Sequence, residues 1–203
     1  MNSNTNWFTG NLQQFYLRDN VTIGKSNGNR LNVNGDAGGF AMTLVGNGHF
    51  TTDGFNNMGN VYVKGGQFMM QSGTFGSSST SVVINTGTYM SFWERNNTLN
   101  KRIVLNGGAM FRTGGSTAAV GTAGVLDMTG GLVLAAGHSE IRHGSSQMIF
   151  KLNGINRETG GTLNIQDTAA LTGFQNPAMV TTTTSNTNGI IGGYLTYGKN
   201  TWQ

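Results

Sequence analysis

The sequence has no cysteine, a single proline and few charged residues. The absence of cysteine excludes disulfide scaffolds, cysteine-based zinc sites and thiol catalysis. The single proline, Pro177, argues against a glycine-rich disordered linker, because such linkers usually carry proline as well. Only 10% of the residues are charged, compared with roughly 25% in an average soluble protein. Uncharged polar side chains must therefore cover the surface, which suits a β-sheet better than a helix.

Long apolar runs are missing as well. No stretch reaches the roughly 18 apolar residues of a membrane-spanning segment, so we expect no membrane span. The opening MNSNTNWFTGNLQQF lacks the basic and apolar regions of a secretion signal. If the protein is exported, this chain is expected to be a mature form or a fragment.

The charge balance is weakly basic, with a net charge of +4. Nucleic-acid binding usually requires a basic stripe with interleaved aromatic side chains, but the twelve basic residues are scattered from Arg18 to Lys199. The densest group consists of Arg95, Lys101, Arg102 and Arg112. We interpret these residues as solvated surface charges and expect no nucleic-acid partner.

What the sequence does contain is a repeat of about 21 residues. Seven triplets with an apolar first and third residue start 21, 19, 21, 21, 23 and 24 residues apart. Alternation of this kind places the two outer residues of a triplet on one face of a strand. We predict that these residues form one buried column, which consists of Val21, Ile23, Met42, Leu44, Val61, Val63, Val82, Ile84, Ile103, Leu105, Leu126, Met128, Phe150 and Leu152.

A fixed period of this length is typical of a solenoid, in which each repeat buries its apolar face by stacking on the next. Glycine or asparagine follows most triplets and is expected to adopt the positive φ of a tight corner. The prediction is an all-β fold, namely a parallel β-helix (β-solenoid) with about 21 residues per coil and right-handed crossovers. We expect a cap or irregular first coil over residues 1–20, regular coils over 21–165, and an irregular coil, cap or junction over 166–203.

Two kinds of segment resemble a known family. The units IVLNGGAMF and LDMTGGLVL look like the repeats of autotransporter-associated β-strand repeat proteins, which are large bacterial surface proteins. The tail Asn186–Gln203 is similar to an Asn-Gly-Ile-Ile-Gly-Gly-aromatic segment that recurs between repeats of that family. The resemblance implies a β-helical passenger, or a fragment of one, that is exported and displayed on the cell surface. It does not imply a reaction.

Parallel β-helices also serve as polysaccharide lyases and hydrolases, which need clustered acidic residues on one outer face. The chain has eight acidic residues, and no triplet column places two of them in register. Asp36 and Asp53 are expected to approach each other on neighbouring coils, as are Asp127 and Glu140. We identify no catalytic residues and expect a protein that is not an enzyme.

His138, Glu140 and His143 are the candidate ligands for a metal site. The spacing differs from the helical His-Glu-x-x-His arrangement, and no third ligand is evident for a complete site. We interpret the segment as a polar strand edge and expect neither a metal nor a cofactor.

Exposed aromatic side chains are the remaining functional indication. Tyr62 occupies the outward middle position of a triplet, and Trp93 lies in a loop beside Arg95. Aromatic rings can stack on sugar rings, so these three residues are candidate contacts to a surface glycan.

Together these observations favour a secreted or cell-surface structural β-solenoid. We expect an adhesin stalk or a filament-forming subunit that associates through its ends, with copies of itself or with neighbouring repeats of a longer chain. The alternatives are a β-helical polysaccharide-active enzyme and a glycan-binding or phage-fibre module.

Overall fold

The structure is a computed structural model of the whole chain. It describes residues 14–25, 30–70, 80–92, 97–112, 124–142, 148–166, 180–186, 191–197 and 201–202. Over these residues the chain forms twenty-one strands and one short 3₁₀ helix, Gly192–Tyr194. The strands are β1 (Gln14–Tyr16), β2 (Val21–Lys25), β3 (Arg30–Asp36), β4 (Met42–Gly46), β5 (His49–Asn56), β6 (Val61–Val63), β7 (Gln67–Met70), β8 (Ser81–Asn85), β9 (Tyr89–Phe92), β10 (Asn97–Thr98), β11 (Arg102–Asn106), β12 (Ala109–Arg112), β13 (Gly124–Asp127), β14 (Leu132–Leu134), β15 (Gly137–Arg142), β16 (Met148–Lys151), β17 (Ile155–Arg157), β18 (Gly161–Gln166), β19 (Val180–Thr181), β20 (Leu195–Tyr197) and β21 (Thr201–Trp202).

The strands form three sheets, and all but one of the strand pairs are parallel. Sheet A has the order β1-β3-β5-β7-β9-β12-β15-β18-β20-β21, sheet B has the order β17-β14-β11-β8-β6-β4-β2, and sheet C has the order β10-β13-β16-β19. The chain passes from sheet B to sheet A and, in the later coils, on to sheet C before it returns to sheet B. This arrangement confirms the all-β parallel β-solenoid. The handedness stays a prediction.

The register of sheet B corrects the predicted column. Val21, Met42, Val61, Val82 and Ile103 are paired in succession, as expected from the triplets. The sixth residue of this ladder is Leu132, whereas the sequence predicted Leu126. Leu126 and Phe150 are paired with each other in sheet C, so the triplets that begin there belong to a second column.

The wrong assignment of the sixth and seventh triplets to sheet B has a local cause. In LDMTGGLVL and in FKLNGI the glycine corner leads from sheet C into sheet B, whereas in the earlier triplets it leads from sheet B into sheet A. Both corners have the same sequence pattern of a short strand followed by glycine or asparagine. Because a strand's alternation does not identify its sheet, the single column was wrong from the sixth triplet onward.

The corners need the backbone that their composition predicts. A residue with positive φ lies in each of six glycine- or asparagine-containing corners; these residues are Gly46, Gly66, Gly87, Gly107, Gly131 and Asn153. Most side chains are strained in this region. Glycine tolerates it because it has no Cβ atom, and asparagine tolerates it because its short amide side chain can form local hydrogen bonds. The predicted conformation of these corners is therefore confirmed.

Both columns are buried in the interior. Of the fourteen predicted residues, Val21 and Ile23 are half-buried, and the other twelve are at most 3% exposed. They form one hydrophobic cluster with apolar residues of sheet A, such as Phe68, Met90 and Met110. Full burial of an aliphatic or aromatic side chain contributes about 1.5–3 kcal/mol, so this cluster is the main source of stability.

Asparagine side chains connect successive coils at the corners of sheet B. The Oδ1 atoms of Asn20 and Asn60 accept hydrogen bonds of 2.8 and 2.9 Å from the backbone N–H groups of Ala41 and Ser81. At the other end of the strands, Asn85 Nδ2 donates to the carbonyl of Val63 over 3.0 Å. Each bond joins residues 21 or 22 positions apart, so it fixes the stacking of one coil on the next.

The two ends of the solenoid differ. Within the described residues, β1 and β2 each have a paired strand on one side only. At the other end, the short strand β21 pairs antiparallel with β20. There the N–H of Ile155 in β17 donates to the hydroxyl of Thr184 over 2.7 Å, in place of a further strand.

Candidate functional site

The predicted glycan contacts are only partly covered by the structure. Trp93 and Arg95 lie outside the described residues. Tyr62 pairs in register with Thr43 and Val83 and is half-buried, in an outward position of sheet B. Its role in glycan contact stays a prediction.

Of the two acidic pairs that the sequence predicts, the structure separates Asp127 from Glu140, whereas the approach of Asp36 and Asp53 stays a prediction. Asp127 lies on β13 of sheet C, whereas Glu140 lies on β15 of sheet A, so the predicted approach of these two residues is wrong. Asp127 instead accepts hydrogen bonds from Lys151 Nζ over 2.7 Å and from Asn153 Nδ2 over 2.8 Å. These two bonds lower the pKa of Asp127, because they stabilise its charged form. The side chain of Asp53 lies outside the described part of the chain.

His138 and Glu140 do lie on one face of β15, as their spacing predicted. His138 Nε2 is 3.7 Å from Glu140 Oε1, and the same carboxylate is paired with the guanidinium of Arg142. Gln166 of the next coil donates to Glu140 Oε1 over 2.6 Å. Glu140 is thus held by three neighbours in the middle of sheet A, and the segment is not at a strand edge. His143 lies outside the described residues.

Lys101 contradicts the interpretation of the basic residues as solvated charges. Its side chain is fully buried, and its ammonium donates to the carbonyls of Met58 over 2.7 Å and Gly59 over 3.1 Å. A third hydrogen bond goes to the hydroxyl of Thr80. Burial lowers the pKa of Lys101 to about 8. The residue therefore joins three successive coils from inside.

The described residues contain neither a cluster of metal-binding side chains nor a helix that could span a membrane. Within them, no group of three or more histidine, aspartate or glutamate side chains is arranged to hold a metal ion. No helix in the same part of the chain has both the length and the apolar character needed to cross a membrane.

An open groove of about 590 Å³ lies at the first coil of the solenoid, and we call it the N-terminal groove. It is lined by Tyr16, Leu17, Arg18, Asp36, Gly38, Gly39 and Asn57. The Tyr16 side chain is 68% exposed, whereas the other large apolar side chains of the described residues are at least partly covered. Arg18 is exposed beside it.

The carboxylate of Asp36 has a fixed orientation in this groove. Its Oδ1 accepts a hydrogen bond of 2.7 Å from the N–H of Gly38, and its Oδ2 accepts one of 2.8 Å from Asn57 Nδ2. Asp36 pairs in register with Tyr16 on one side and with Asn56 on the other. The aromatic ring and the carboxylate therefore belong to neighbouring strands of sheet A.

The backbone around the groove is irregular. Positive φ angles occur at Gly35, Gly38, Gly39 and Asn57, and Asn57 is unusual because it is not a glycine. The pairing of β3 with β5 shifts by one residue after Val33, as in a β-bulge. Bulges and strained residues often reorient side chains next to functional sites.

Sequence reasoning did not find this groove. The sequence predicts Tyr16 as part of a cap or irregular first coil, and it predicts Asp36 only as a neighbour of Asp53. The available signal was the pair Gly38-Gly39, which follows Asp36 in the pattern of a turn that leaves space beside the carboxylate. The register that brings Tyr16 beside Asp36 is a long-range property that composition does not reveal.

Comparisons with protein-family models, with curated proteins and with solved structures found no match for this chain. The fold and the chemistry of the described surfaces are therefore what points to a function.

Proposed function

We infer that this chain is a non-enzymatic structural β-solenoid of a secreted or bacterial cell-surface protein. It serves as an adhesin stalk or as a filament-forming subunit and associates through its ends. The single observation that carries this proposal is the stacking of parallel coils on a continuous buried core. The resemblance of the repeat units to autotransporter-associated β-strand repeats supports surface display.

The stacked coils are suited to a mechanical role. Successive coils are joined by backbone hydrogen bonds between their paired strands and by apolar contacts inside, and asparagine side chains add hydrogen bonds at several corners of the early coils. Rungs spaced by about 4.8 Å make the seven strands of sheet B extend over roughly 30 Å. Such a rod resists bending because each inner coil is paired with a coil on either side.

The N-terminal end is better suited to strand addition than the C-terminal end. Within the described residues, β2 has its only partner in β4, and the N–H of Val21 points toward that partner and bonds the carbonyl of Ala41. Successive amides of a strand point to opposite sides, so the N–H of Thr22 faces away from β4. A strand from another copy, or from a preceding repeat, can accept this hydrogen bond.

The proposal is tested by the state of association of the isolated chain. We expect electron microscopy and light scattering to show rods that lengthen as the protein concentration rises. Thr22→Pro should suppress this association, because proline removes an outward N–H group and leaves the pairing with β4 intact. Thr22→Val is the matched control, since it retains the N–H group.

Two results would contradict the filament version. One is a monomer over the whole range of concentrations. The other is equal association of Thr22→Pro and Thr22→Val. A monomeric rod that lengthens when preceding or following repeats are added would support the stalk version instead.

A further inference from the structure

We propose that the N-terminal groove binds a neutral oligosaccharide. The proposal is independent of the association through the rod's ends. It depends on the four side chains of the groove that offer complementary chemistry, which are Tyr16, Arg18, Asp36 and Asn57.

The aromatic ring provides the apolar part of the site. Tyr16 is 68% exposed at the groove, although a side chain of this size is normally covered in a well-packed rod. A pyranose ring has an apolar face of C–H groups, and such a face packs against an aromatic ring. An exposed aromatic side chain at a cavity is therefore a stacking platform.

The polar part of the site is already oriented. Asp36 is fixed by Gly38 and Asn57, yet a carboxylate has about four lone-pair positions, and these two bonds use two of them. The remaining positions can accept hydrogen bonds from the hydroxyl groups of a ligand. Because the carboxylate is oriented before binding, little conformational entropy is lost when it does so.

The glycines of the groove keep space for a ligand. Gly39 has a φ of 83°, and a Cβ atom built on it would meet no atom within 4 Å, so a side chain there would project into open space. The register of β3 with β5 shifts in the same segment, between Val33 and Asn34, and the groove is open at the surface.

The charges of the groove favour a neutral ligand. Arg18 and Asp36 have opposite signs, and the exposed Asp19 follows directly in the sequence. No excess of positive charge is therefore present to attract a polyanion. Hydroxyl groups can bond both the guanidinium and the carboxylate, whereas an anionic sugar would be repelled by the two acids.

The test is a binding experiment on the full chain with cellohexaose, maltohexaose and, as the polyanion, polygalacturonate. We expect calorimetry to show saturable binding of a neutral hexasaccharide. Tyr16→Ala should weaken this binding about tenfold or more, because the stacking platform is lost. Asp36→Asn should weaken it by a similar factor, since the charged acceptor is lost while an acceptor for the Gly38 N–H remains.

Tyr89→Ala is the matched control, because it removes a tyrosine of sheet A that does not line the groove and should leave the affinity unchanged. Unfolding midpoints of all variants verify that each one is folded. Three results would overturn the proposal: no binding of either neutral hexasaccharide at millimolar concentrations, tighter binding of polygalacturonate, or equal affinity of Tyr16→Ala and the wild type. A Tyr16→Ala variant that changes only the association of copies would assign the groove to an interface, which also overturns it.

Discussion

The coils before Asn97 and the coils after it stack on the same core, but they turn their corners differently. In the early coils, paired residues of sheet B lie 19 or 21 positions apart, and Asn20 and Asn60 join neighbouring corners by side-chain hydrogen bonds. In the later coils, Ile103 pairs with Leu132, which lies 29 positions further on. Sheet C is present there as a third side.

The difference shows that the register of sheet B is determined by the stacked residues and not by the length of the coil. Ile103 and Leu132 are both fully buried and stay in register although the chain between them is longer than in the early coils. The spacing of 29 positions exceeds by eight the 21 positions between Val82 and Ile103. Because loop closure costs little extra entropy per added residue, the longer coil is tolerated.

The largest expected effect on stability comes from a close backbone contact that recurs at one corner of the early coils and at one corner of the later coils. A Cβ atom on Gly59 would lie 2.4 Å from the carbonyl oxygen of Gly39, and one on Gly130 would lie 2.5 Å from that of Asn100. Each clash involves backbone of the previous coil, so Gly59→Ala and Gly130→Ala should each lower the free energy of unfolding by about 3 kcal/mol. Urea unfolding measures the effect.

Gly154→Ala is the control for these variants, because a Cβ atom on this corner glycine would meet nothing within 4 Å. It should change stability by at most about 0.5 kcal/mol. If only one of the two damaging variants unfolds more easily, the early and late corners do not share the same close contact.

A second expected effect concerns the junction of the two regions. Lys101 lies just before β11, and its ammonium bonds to Met58, Gly59 and Thr80 of the early coils. Lys101→Met should cost about 1–3 kcal/mol, because buried carbonyls lose their donor. Arg102→Met, at the exposed neighbouring position, should be nearly neutral. Equal unfolding midpoints of the two variants would show that the internal bonds do not join the regions.

The same lysine predicts a pH dependence of stability. Burial lowers its pKa from 10.5 to about 8, so between these values the unfolded chain binds more protons than the folded one. The free energy of unfolding should therefore rise as the pH increases from about 8 to about 10.5, by at most roughly 3 kcal/mol. The measurement is the wild-type stability minus that of Lys101→Met, because this difference isolates the contribution of Lys101. A difference that stays constant or falls with pH would contradict the assignment.

The smallest expected effect is specific to the early coils. Asn60→Ala should cost about 1 kcal/mol, because the N–H of Ser81 loses its 2.9 Å acceptor. Gly131 occupies the corresponding position of a later coil, immediately before β14, so Gly131→Asn tests whether an asparagine can replace the glycine there. Its φ of 79° is tolerated by asparagine better than by most residues, and a loss of about 1 kcal/mol or less is expected in chemical unfolding. A much larger loss would show that the late corner needs glycine itself.

The alternating triplets were sufficient to predict the fold class, the buried residues and the positive φ of the corners. They assigned the strands wrongly from Leu126 onward, because a strand of sheet B and a strand of sheet C have the same alternation of apolar and polar residues. The burial of Lys101 was not predictable either, since its acceptors are carbonyls that lie about 42 residues away and that every sequence provides. The N-terminal groove depends on the register of Tyr16 with Asp36, which only the folded chain determines.

The pairing of Ile103 with Leu132 has a consequence for how such a chain changes over time. The two residues stay paired in sheet B although 29 positions separate them, compared with 21 positions between Val82 and Ile103. A coil can therefore gain or lose residues in the course of evolution while the neighbouring coils keep their register. Related chains are expected to differ in the length of single coils and to agree in the order of the stacked residues.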